Sequence, residues 1–362
     1  MNDIFSPLPR EEVIKAVERK KPYRIPLVMA KWWGEGFEAY NGEALRQFDK
    51  YPEDAVLALI EPFDYERMSL PWEIDLSGPH DTRNILDDWN KLDEFISHLI
   101  KPENDPQFEL VKQLEEKAQA EDRYFIFGWW RLFFERPWEI RGMLNLLRDL
   151  RRNPEEVHKL LDALCETYLA YLRYALKEFQ FDGFWTSDDL GHQRQLFMSP
   201  QTFRTFLLPQ YKRIGALLRE YNIHWWLHSC GNNTLILDDL IDAGVTVFHP
   251  VQKHTMDEKA VAAKFGERLT FLAGFDVQQT LRTASPEEVR AEVRFLIDTF
   301  DHPNGGLCLA AGNGILPGTP LENLDAFLDE SLIYGYKSRN RNKQVLPSMV
   351  MPGSDYRSAN EP

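Results

Sequence analysis

Cysteine is scarce in this chain, and the three that occur lie far apart. They are Cys165, Cys230 and Cys308 among 362 residues. An odd number of widely spaced cysteines does not suit a disulfide framework, so the sequence predicts a protein of the reducing cytoplasm. The N-terminus has no basic segment followed by an apolar one, and no secretory signal is expected.

Basic residues are fewer than acidic ones, and long apolar runs are absent. Lys and Arg number 42 against 57 Asp and Glu, which gives a formal net charge of −15 and a pI of about 5.1. This balance argues against a nucleic acid or an anionic membrane as the partner. No stretch approaches the roughly 18–20 consecutive apolar residues that cross a bilayer, so we expect no membrane partner.

Short apolar runs that stop at polar residues are the main feature present. Seven of them read as strands: 23–30, 124–128, 182–186, 225–227, 245–248, 269–273 and 306–311. Helical spacing of apolar residues separates most of them and also covers 41–60, and a weaker strand is expected near 64–70. Eight strands alternating with helices indicate the α/β class and a (β/α)8 TIM barrel.

The domain organisation follows from the same pattern. Residues 1–337 are expected to form one barrel domain with an N-terminal helical extension and an irregular excursion near 62–105. Residues 338–362 are expected to form a polar tail. No GxGxxG or GxxxxGK[ST] phosphate loop occurs, and the working residues of a barrel cluster at the carboxyl ends of its strands.

An imidazole and a thiol follow the run at 225–227. His228 and Cys230 are two positions apart, and residues i and i+2 of an extended chain point the same way. They could therefore meet at one metal ion, and Zn²⁺ accepts both ligand types at catalytic sites with about three protein ligands. Cys308, His249, His254 and Asp276 remain open as the third ligand. The alternative is a structural histidine beside a buried thiol.

Paired side chains mark other strand ends. One carboxylate of Asp188 and Asp189 is expected to act as a general acid or base, or to orient a cation, while the other caps a turn. We favour Asp188 for the chemistry. Three tryptophan pairs, at 32–33, 129–130 and 225–226, are expected to send one indole inward, as a pocket wall, and one toward the helices.

Several motifs together resemble the uroporphyrinogen decarboxylase superfamily. They are HSCGNN, GVTVFHPVQKHTMD, FGERLTFLAGFDVQQTL, SPEEVRAEV and GTPLENL, and the similarity runs from about residue 9 to 336. The resemblance implies a (β/α)8 barrel with its cleft at the carboxyl-terminal rim. It also places Asp188, Gln252, Asp276 and Glu322 at positions similar to the cleft residues of the family.

Two branches of this superfamily differ at residues that can be compared here. True uroporphyrinogen decarboxylases resemble RxPVWxMRQAGR, in which two arginines receive substrate carboxylates; here Lys31 and Glu35 stand in their places. The corrinoid-dependent methyltransferases carry HxCG, as this chain does. Their third zinc ligand is a cysteine in a PGCG-like turn, where this chain has Asn313, and asparagine is a poor zinc ligand.

The resemblance is closer to the methyltransferase branch, and it implies a reaction. A methyl group would move between a small methylated substrate, such as a methyl ether, and a corrinoid carried by a separate protein, since no DxHxxG corrinoid-binding signature occurs. The expected alternatives are a metal-independent decarboxylase and a ligand-binding barrel without catalysis.

The residues expected to carry this function form three groups. Asp188 and Asp276 are expected to be catalytic, and His228 and Cys230 to bind Zn²⁺, with Cys308 considered as the third ligand. Residues expected to bind the substrate are Lys31, Trp33, Trp130, Gln252, Asn313 and Glu322.

Overall fold

Seven parallel strands form one sheet in chain order. A computed structural model describes residues 4–79 and 83–340, so the expected polar tail lies outside the described residues from 341 onward. The strands are β1 Ala55–Ile60, β2 Tyr124–Trp129, β3 Gly183–Ser187, β4 His224–His228, β5 Val245–His249, β6 Thr270–Phe275 and β7 Leu307–Ala311. Nearly all strand residues are buried, as apolar runs covered on both faces should be.

An extended segment near Leu27 occupies the place of an eighth strand. Val28 N donates to Leu309 O over 3.0 Å, and Leu309 N donates to Pro26 O over 2.9 Å. On the other side of the segment, Asp54 N donates to Leu27 O over 2.7 Å, just before β1. The strand predicted at 23–30 is thus reduced to one bridge pair, Leu27 with Leu309, but it joins β7 to β1. The predicted (β/α)8 barrel is confirmed.

Helices alternate with the strands. They are α1 Arg10–Val17, α2 Phe37–Asn41, α3 Tyr65–Met68, α4 Leu92–Ser97, α5 Gln107–Ala120, α6 Glu135–Arg141, α7 Met143–Arg152, α8 Pro154–Glu178, α9 Pro200–Phe206, α10 Leu208–Glu220, α11 Leu237–Ala243, α12 Glu258–Phe265, α13 Thr280–Thr283, α14 Pro286–Phe300 and α15 Leu321–Arg339. Ser285 and Glu288 form a capping box at the start of α14. Among the described residues, no helix combines the length and apolar character needed to cross a bilayer.

Two local predictions before β2 are wrong. The helix predicted over 41–60 ends early, because the chain passes through a 3₁₀ turn at 42–48 and enters β1 at Ala55. A continuous apolar run of six residues suits a strand buried on both faces, and helical spacing does not separate the two cases. The strand expected near 64–70 is the short helix α3, which Asp64 begins by accepting hydrogen bonds from Glu66 N and Arg67 N.

The barrel interior forms an apolar cluster separate from the layer between sheet and helices. Trp185, Trp226 and Cys308 belong to this inner cluster. Helix α1 covers its N-terminal end, where Gly306 N donates to Ala16 O over 2.8 Å. The polar residues that follow the strands lie at the opposite, carboxyl-terminal end.

Candidate active site

Two buried histidines at neighbouring strand ends fix each other's tautomers. His228 and His249 are register partners in β4 and β5, and their Nδ1 atoms lie 2.7 Å apart. His249 Nε2 lies 3.0 Å from Ala311 O, and because a carbonyl can only accept, this nitrogen carries the proton. His249 Nδ1 therefore accepts from His228 Nδ1, and His228 Nε2 keeps a lone pair. Burial lowers the pKa of both imidazoles, which keeps them neutral.

That lone pair points at a thiol and a carboxylate. His228 Nε2 lies 3.4 Å from Cys230 Sγ and 3.6 Å from Asp189 Oδ1. The three ligand atoms all lie within 4.8 Å of one another, and we call these residues the three-ligand cluster. Tetrahedral zinc with ordinary bond lengths separates nitrogen from sulfur by about 3.6 Å and nitrogen from oxygen by about 3.4 Å. The donor types and the two separations from His228 Nε2 therefore fit Zn²⁺.

Close backbone packing brings the loops after β3 and β4 together. Gly231 has φ of 81°, in the left-handed region that favours glycine, and a Cβ there would lie 2.2 Å from the backbone of Gly191. Asn232 N donates to His192 O over 2.9 Å. This contact sets Asp189 against the next loop, where its Oδ1 accepts from Cys230 N over 2.7 Å.

The thiol of Cys230 is neutral in this environment. Burial raises its pKa, the nearby Asp189 carboxylate raises it further, and a hydrogen bond from Asn313 lowers it. Asn313 Nδ2 lies 3.7 Å from the sulfur, so asparagine contacts the thiol at the position where the resemblance implied a second thiolate. Binding of a divalent cation would displace the thiol proton, and affinity for the cation should therefore rise with pH.

Two indoles stack beside this cluster. The rings of Trp32 and Trp130 are 5.4 Å apart at 25°, and each meets the His228 ring edge-on, at 5.7 and 6.1 Å. Trp129 packs instead on Tyr168 in the outer layer. The alternation predicted for the tryptophan pairs therefore appears here.

Comparison with known proteins assigns this barrel to a family. The sequence profile described as "Uroporphyrinogen decarboxylase (URO-D)" matches residues 135–331, which is more than half of the chain. The chain belongs to the uroporphyrinogen decarboxylase family. The predicted family is confirmed, and this stretch contains the whole three-ligand cluster.

Relatives in this family carry out two kinds of reaction. The chain is 26% identical to a methylated-thiol–coenzyme M methyltransferase of Methanosarcina mazei, over 52% of this chain and 48% of that protein. It is 30% identical to a methylcobamide:CoM methyltransferase of Methanosarcina barkeri, over 36% of each chain. It is 26% identical to a uroporphyrinogen decarboxylase of Cellvibrio japonicus, over 64% of each chain. The chain spans half or less of the length of the methyltransferases it matches.

A solved structure matches a larger share of the fold. A methyltransferase from Methanosarcina mazei superposes with a TM-score of 0.62, at 18% sequence identity, over 89% of this chain and 97% of that one. This likeness concerns the fold. The relatives of the chain are enzymes of the family, and both methyltransferases and decarboxylases occur among them.

The structure places Asp188, which the sequence favoured for the chemistry, outside the three-ligand cluster. The Asp188 carboxylate is fully buried and accepts from the backbone N–H groups of Phe133, Phe134 and Glu135 and from the Tyr211 hydroxyl, over 2.7–3.1 Å. Burial raises its pKa to about 6 against these hydrogen bonds, which lower it. Asp188 therefore holds the loop before α6, and Asp189 is the carboxylate in the cluster.

Three other predicted residues do lie beside Cys230. Gln252, Asp276 and Asn313 line a cavity of about 30 Å³ next to the thiol. Gln252 Oε1 accepts from Gly231 N over 2.7 Å, which holds the loop that carries Cys230. The Asp276 carboxylate accepts from Gln278 N and Thr280 N; these and other hydrogen bonds outweigh burial and lower its pKa. Asp276 is therefore ionised, and it holds the turn that begins α13.

Four predicted residues lie elsewhere. Lys31 Nζ donates to Tyr51 O over 2.7 Å and points away from the cluster. Trp33 stacks on Phe37 at 5.0 Å, so the indole at the cluster comes from Trp32 instead. Glu322 is exposed in the first turn of α15, and Cys308 is buried inside the barrel. Cys308 lies three residues, or about 10 Å, before the end of β7, too far below the rim to join His228.

Glu135 is a candidate residue that the sequence did not single out. Its carboxylate accepts from Ser187 Oγ over 2.6 Å at the end of β3. Burial raises its pKa to about 8, with contributions from Asp189 and Asp188. Its carboxyl group is therefore largely protonated at neutral pH. It lies six residues after the end of β2, at the first residue of α6, and nothing in the sequence marks it.

Proposed function

We propose that this protein is a methyltransferase that moves a methyl group between a small methylated substrate and a corrinoid carried by a separate protein. The observation that carries the proposal is the convergence of His228 Nε2, Cys230 Sγ and Asp189 Oδ1 at zinc-like separations. Asp189 takes the place of the ligand that Asn313 cannot supply. The methyltransferase relatives support the corrinoid, since one of them is named for the methylcobamide it uses.

Zn²⁺ held by the three-ligand cluster would supply a Lewis acid that polarises the heteroatom bearing the methyl group, or stabilises a substrate thiol as a thiolate. The protein's own groups have defined tasks around it. His249 orients His228 through the Nδ1 contact and keeps its Nε2 deprotonated. Trp32 and Trp130 form an apolar wall.

Proton supply is the other task the protein must perform. Transfer of a methyl group from an ether oxygen to a corrinoid would leave the electron pair of the broken C–O bond on the oxygen, which would then need a proton. Glu135 is a carboxyl group near Asp189 that is protonated at neutral pH. We assign it as the proton donor.

The charges around the cluster favour a neutral substrate. Asp189 and Glu135 contribute carboxyl groups, whereas Lys31 is held by backbone carbonyls and the Arg131 guanidinium pairs with Glu61 over 3.0 Å. In the metal-free site a polycarboxylate would meet the Asp189 carboxylate, and Lys31 and Arg131 are both already engaged. This argues against uroporphyrinogen decarboxylation, although decarboxylases occur among the relatives.

Metal analysis of the untagged protein tests the proposal. We expect about one zinc per chain, lost in Cys230→Ala and in Asp189→Asn and retained in the matched control Cys308→Ala, whose thiol lies inside the barrel. A protein that takes up no zinc, or that keeps it in Cys230→Ala, would rule out this site.

A second assay separates the reaction from the metal. Purified protein is mixed with cob(I)alamin and a panel of methoxylated aromatic compounds, methyl thioethers and methylamines, and methylcobalamin is followed by its absorbance. Zinc-dependent methylation supports the proposal. Carbon dioxide release from an aromatic carboxylic acid that persists in the presence of a chelator would support the metal-independent decarboxylase instead.

A further inference from the structure

A large cavity lies at the opposite end of the barrel from the three-ligand cluster. It is partly open to solvent and has a volume of about 500 Å³ among the C-terminal ends of α5 and α8 and the segments that enter β2, β3 and β4. Phe125 lines it at the start of β2, whereas Trp130 follows the end of the same strand. Five residues of strand separate the two regions by about 17 Å. The cavity is therefore distinct from the candidate active site.

Aromatic and aliphatic side chains form much of its wall. Phe179, Phe181, Leu176 and Ile223 contribute apolar surface. Phe179 is itself fixed by stacking on Phe108 at 5.8 Å and 12°. A volume of this size suits a small organic molecule, and flat apolar walls favour an aromatic ring.

One arginine in this cavity is buried without a good partner. The Arg123 side chain is only 10% exposed, and its one described ion pair joins Nη1 to the exposed Glu121 carboxylate at 3.5 Å. Its Nε is buried and has no hydrogen-bond partner among the described residues. A buried guanidinium that makes one long contact is an unfavourable arrangement, which a carboxylate accepting two parallel hydrogen bonds would relieve.

Three other charged groups of the wall, Arg10, Asp182 and Glu115, make short hydrogen bonds, while the Asp122 side chain is exposed to solvent. Asp182 accepts from Arg10 Nε over 2.7 Å and from Phe125 N over 3.0 Å. Glu115 Oε1 accepts from Gln180 N over 2.7 Å. Of the two arginines that line the cavity, Arg10 is thus neutralised inside the protein, and Arg123 is the one that lacks a short ion pair.

We propose that this cavity is a second binding site, for a small aromatic carboxylate whose ring packs on Phe179 and Phe181 and whose carboxylate pairs with Arg123. The site does not depend on the proposed methyl transfer.

Binding of 4-fluorobenzoate, followed by ¹⁹F NMR line broadening, tests this proposal. The full chain should bind 4-fluorobenzoate and should bind the uncharged 4-fluorobenzyl alcohol more weakly. Arg123→Gln should raise the Kd for the carboxylate at least about tenfold, the equivalent of one charge-assisted hydrogen bond. Arg123→Lys should restore part of the affinity. Arg152→Gln, at an exposed position at the end of α7, should leave the Kd unchanged.

Two further variants secure the interpretation. Leu176→Glu, on the half-exposed face of α8, places a carboxylate in the cavity and should also abolish binding, which covers the case in which Arg123→Gln fails to fold. Cys230→Ser should bind as the wild type does. The proposal is overturned if the wild type does not bind the carboxylate, if Arg123→Gln binds it equally well, or if Cys230→Ser loses binding.

Discussion

Two neighbouring carboxylates should respond to the same substitution in opposite ways. Asp188→Asn and Asp189→Asn each replace a carboxylate by an amide of the same shape. The structure places Asp188 among donors inside the protein and Asp189 in the three-ligand cluster. We therefore expect the first variant to lose stability and the second to lose zinc.

The size of the stability effect follows from the contacts of Asp188. An amide oxygen in place of Oδ1 can still accept from Phe134 N at 2.9 Å and Glu135 N at 2.8 Å. The amide nitrogen would then face the Phe133 N–H at 3.1 Å and the Tyr211 hydroxyl at 2.7 Å, which donate to Oδ2 in the wild type. Losing one or two hydrogen bonds to a charged group, at about 1.5–3 kcal/mol each, should lower the free energy of unfolding by about 1.5–6 kcal/mol.

Asp189→Asn should lower the free energy of unfolding by less than about 1 kcal/mol. The amide oxygen can still accept from Cys230 N, and the side chain is partly exposed. Its zinc affinity should fall at least about 100-fold, since even outer-shell partners of a metal ligand contribute 10–100-fold. Urea unfolding followed by circular dichroism measures stability, and mass spectrometry of the metal measures zinc. Equal destabilisation by the two variants, with zinc retained in Asp189→Asn, would refute the assignment.

Three other predictions concern residues that the structure distinguishes. Trp32→Ala should lower the rate of methyl transfer at least about tenfold, because Trp32 is the indole of the pair that contacts His228. Trp33→Ala should mainly lower the free energy of unfolding, by about 2 kcal/mol, because Trp33 packs on Phe37. Methyl-transfer rates and urea unfolding midpoints distinguish the two variants. Arg24→Met should cost about 3–5 kcal/mol in urea unfolding, because it leaves the buried Asp54 carboxylate without its cation at 2.7 Å. Burial raises the pKa of Glu53 to about 7. The protonated Glu53 carboxyl group therefore stabilises the folded state below the pKa it has in the unfolded chain, and this contribution is lost as the pH rises through 7. The melting temperature should therefore fall less from pH 5.5 to 8 in Glu53→Gln than in the wild type, and an identical pH dependence would contradict this.

The sequence predicted the barrel well because strand ends are marked by abrupt changes of polarity. Six of the seven strands read from the apolar runs are present, and their order in the sheet follows the chain. The first part of the chain was predicted less well, because β1 lies in a region of helical spacing and the segment at Leu27 is held by few hydrogen bonds. Periodicity detects regular elements, and this part of the barrel is irregular.

The candidate site was harder to predict, because several of its residues belong to pairs of identical neighbours. In each pair only one side chain faces the site. In β2 the even-numbered residue Ile126 faces the barrel interior and Phe127 faces the helices. The same alternation sends Trp130 inward and Trp129 outward, as expected. The segment at residues 27–33 does not follow it, because Met29 has a φ of 58° and the segment pairs only through two isolated bridges, so Trp32 and not Trp33 contacts His228.

The register of β3 against β4 determines which of Asp188 and Asp189 belongs to the three-ligand cluster. Ser187 lies opposite His228, so two residues further on Asp189 comes opposite Cys230, while Asp188 points outward to Tyr211. This register involves two neighbouring strands, and a polarity pattern along either one carries no information about it. Asp189 Oδ1 lies 3.6 Å from His228 Nε2, whereas Cys308 is buried inside the barrel. Under the proposed function, a carboxylate from the loop after the adjacent strand β3 would therefore supply the third ligand, since Asn313 stands in place of a thiolate.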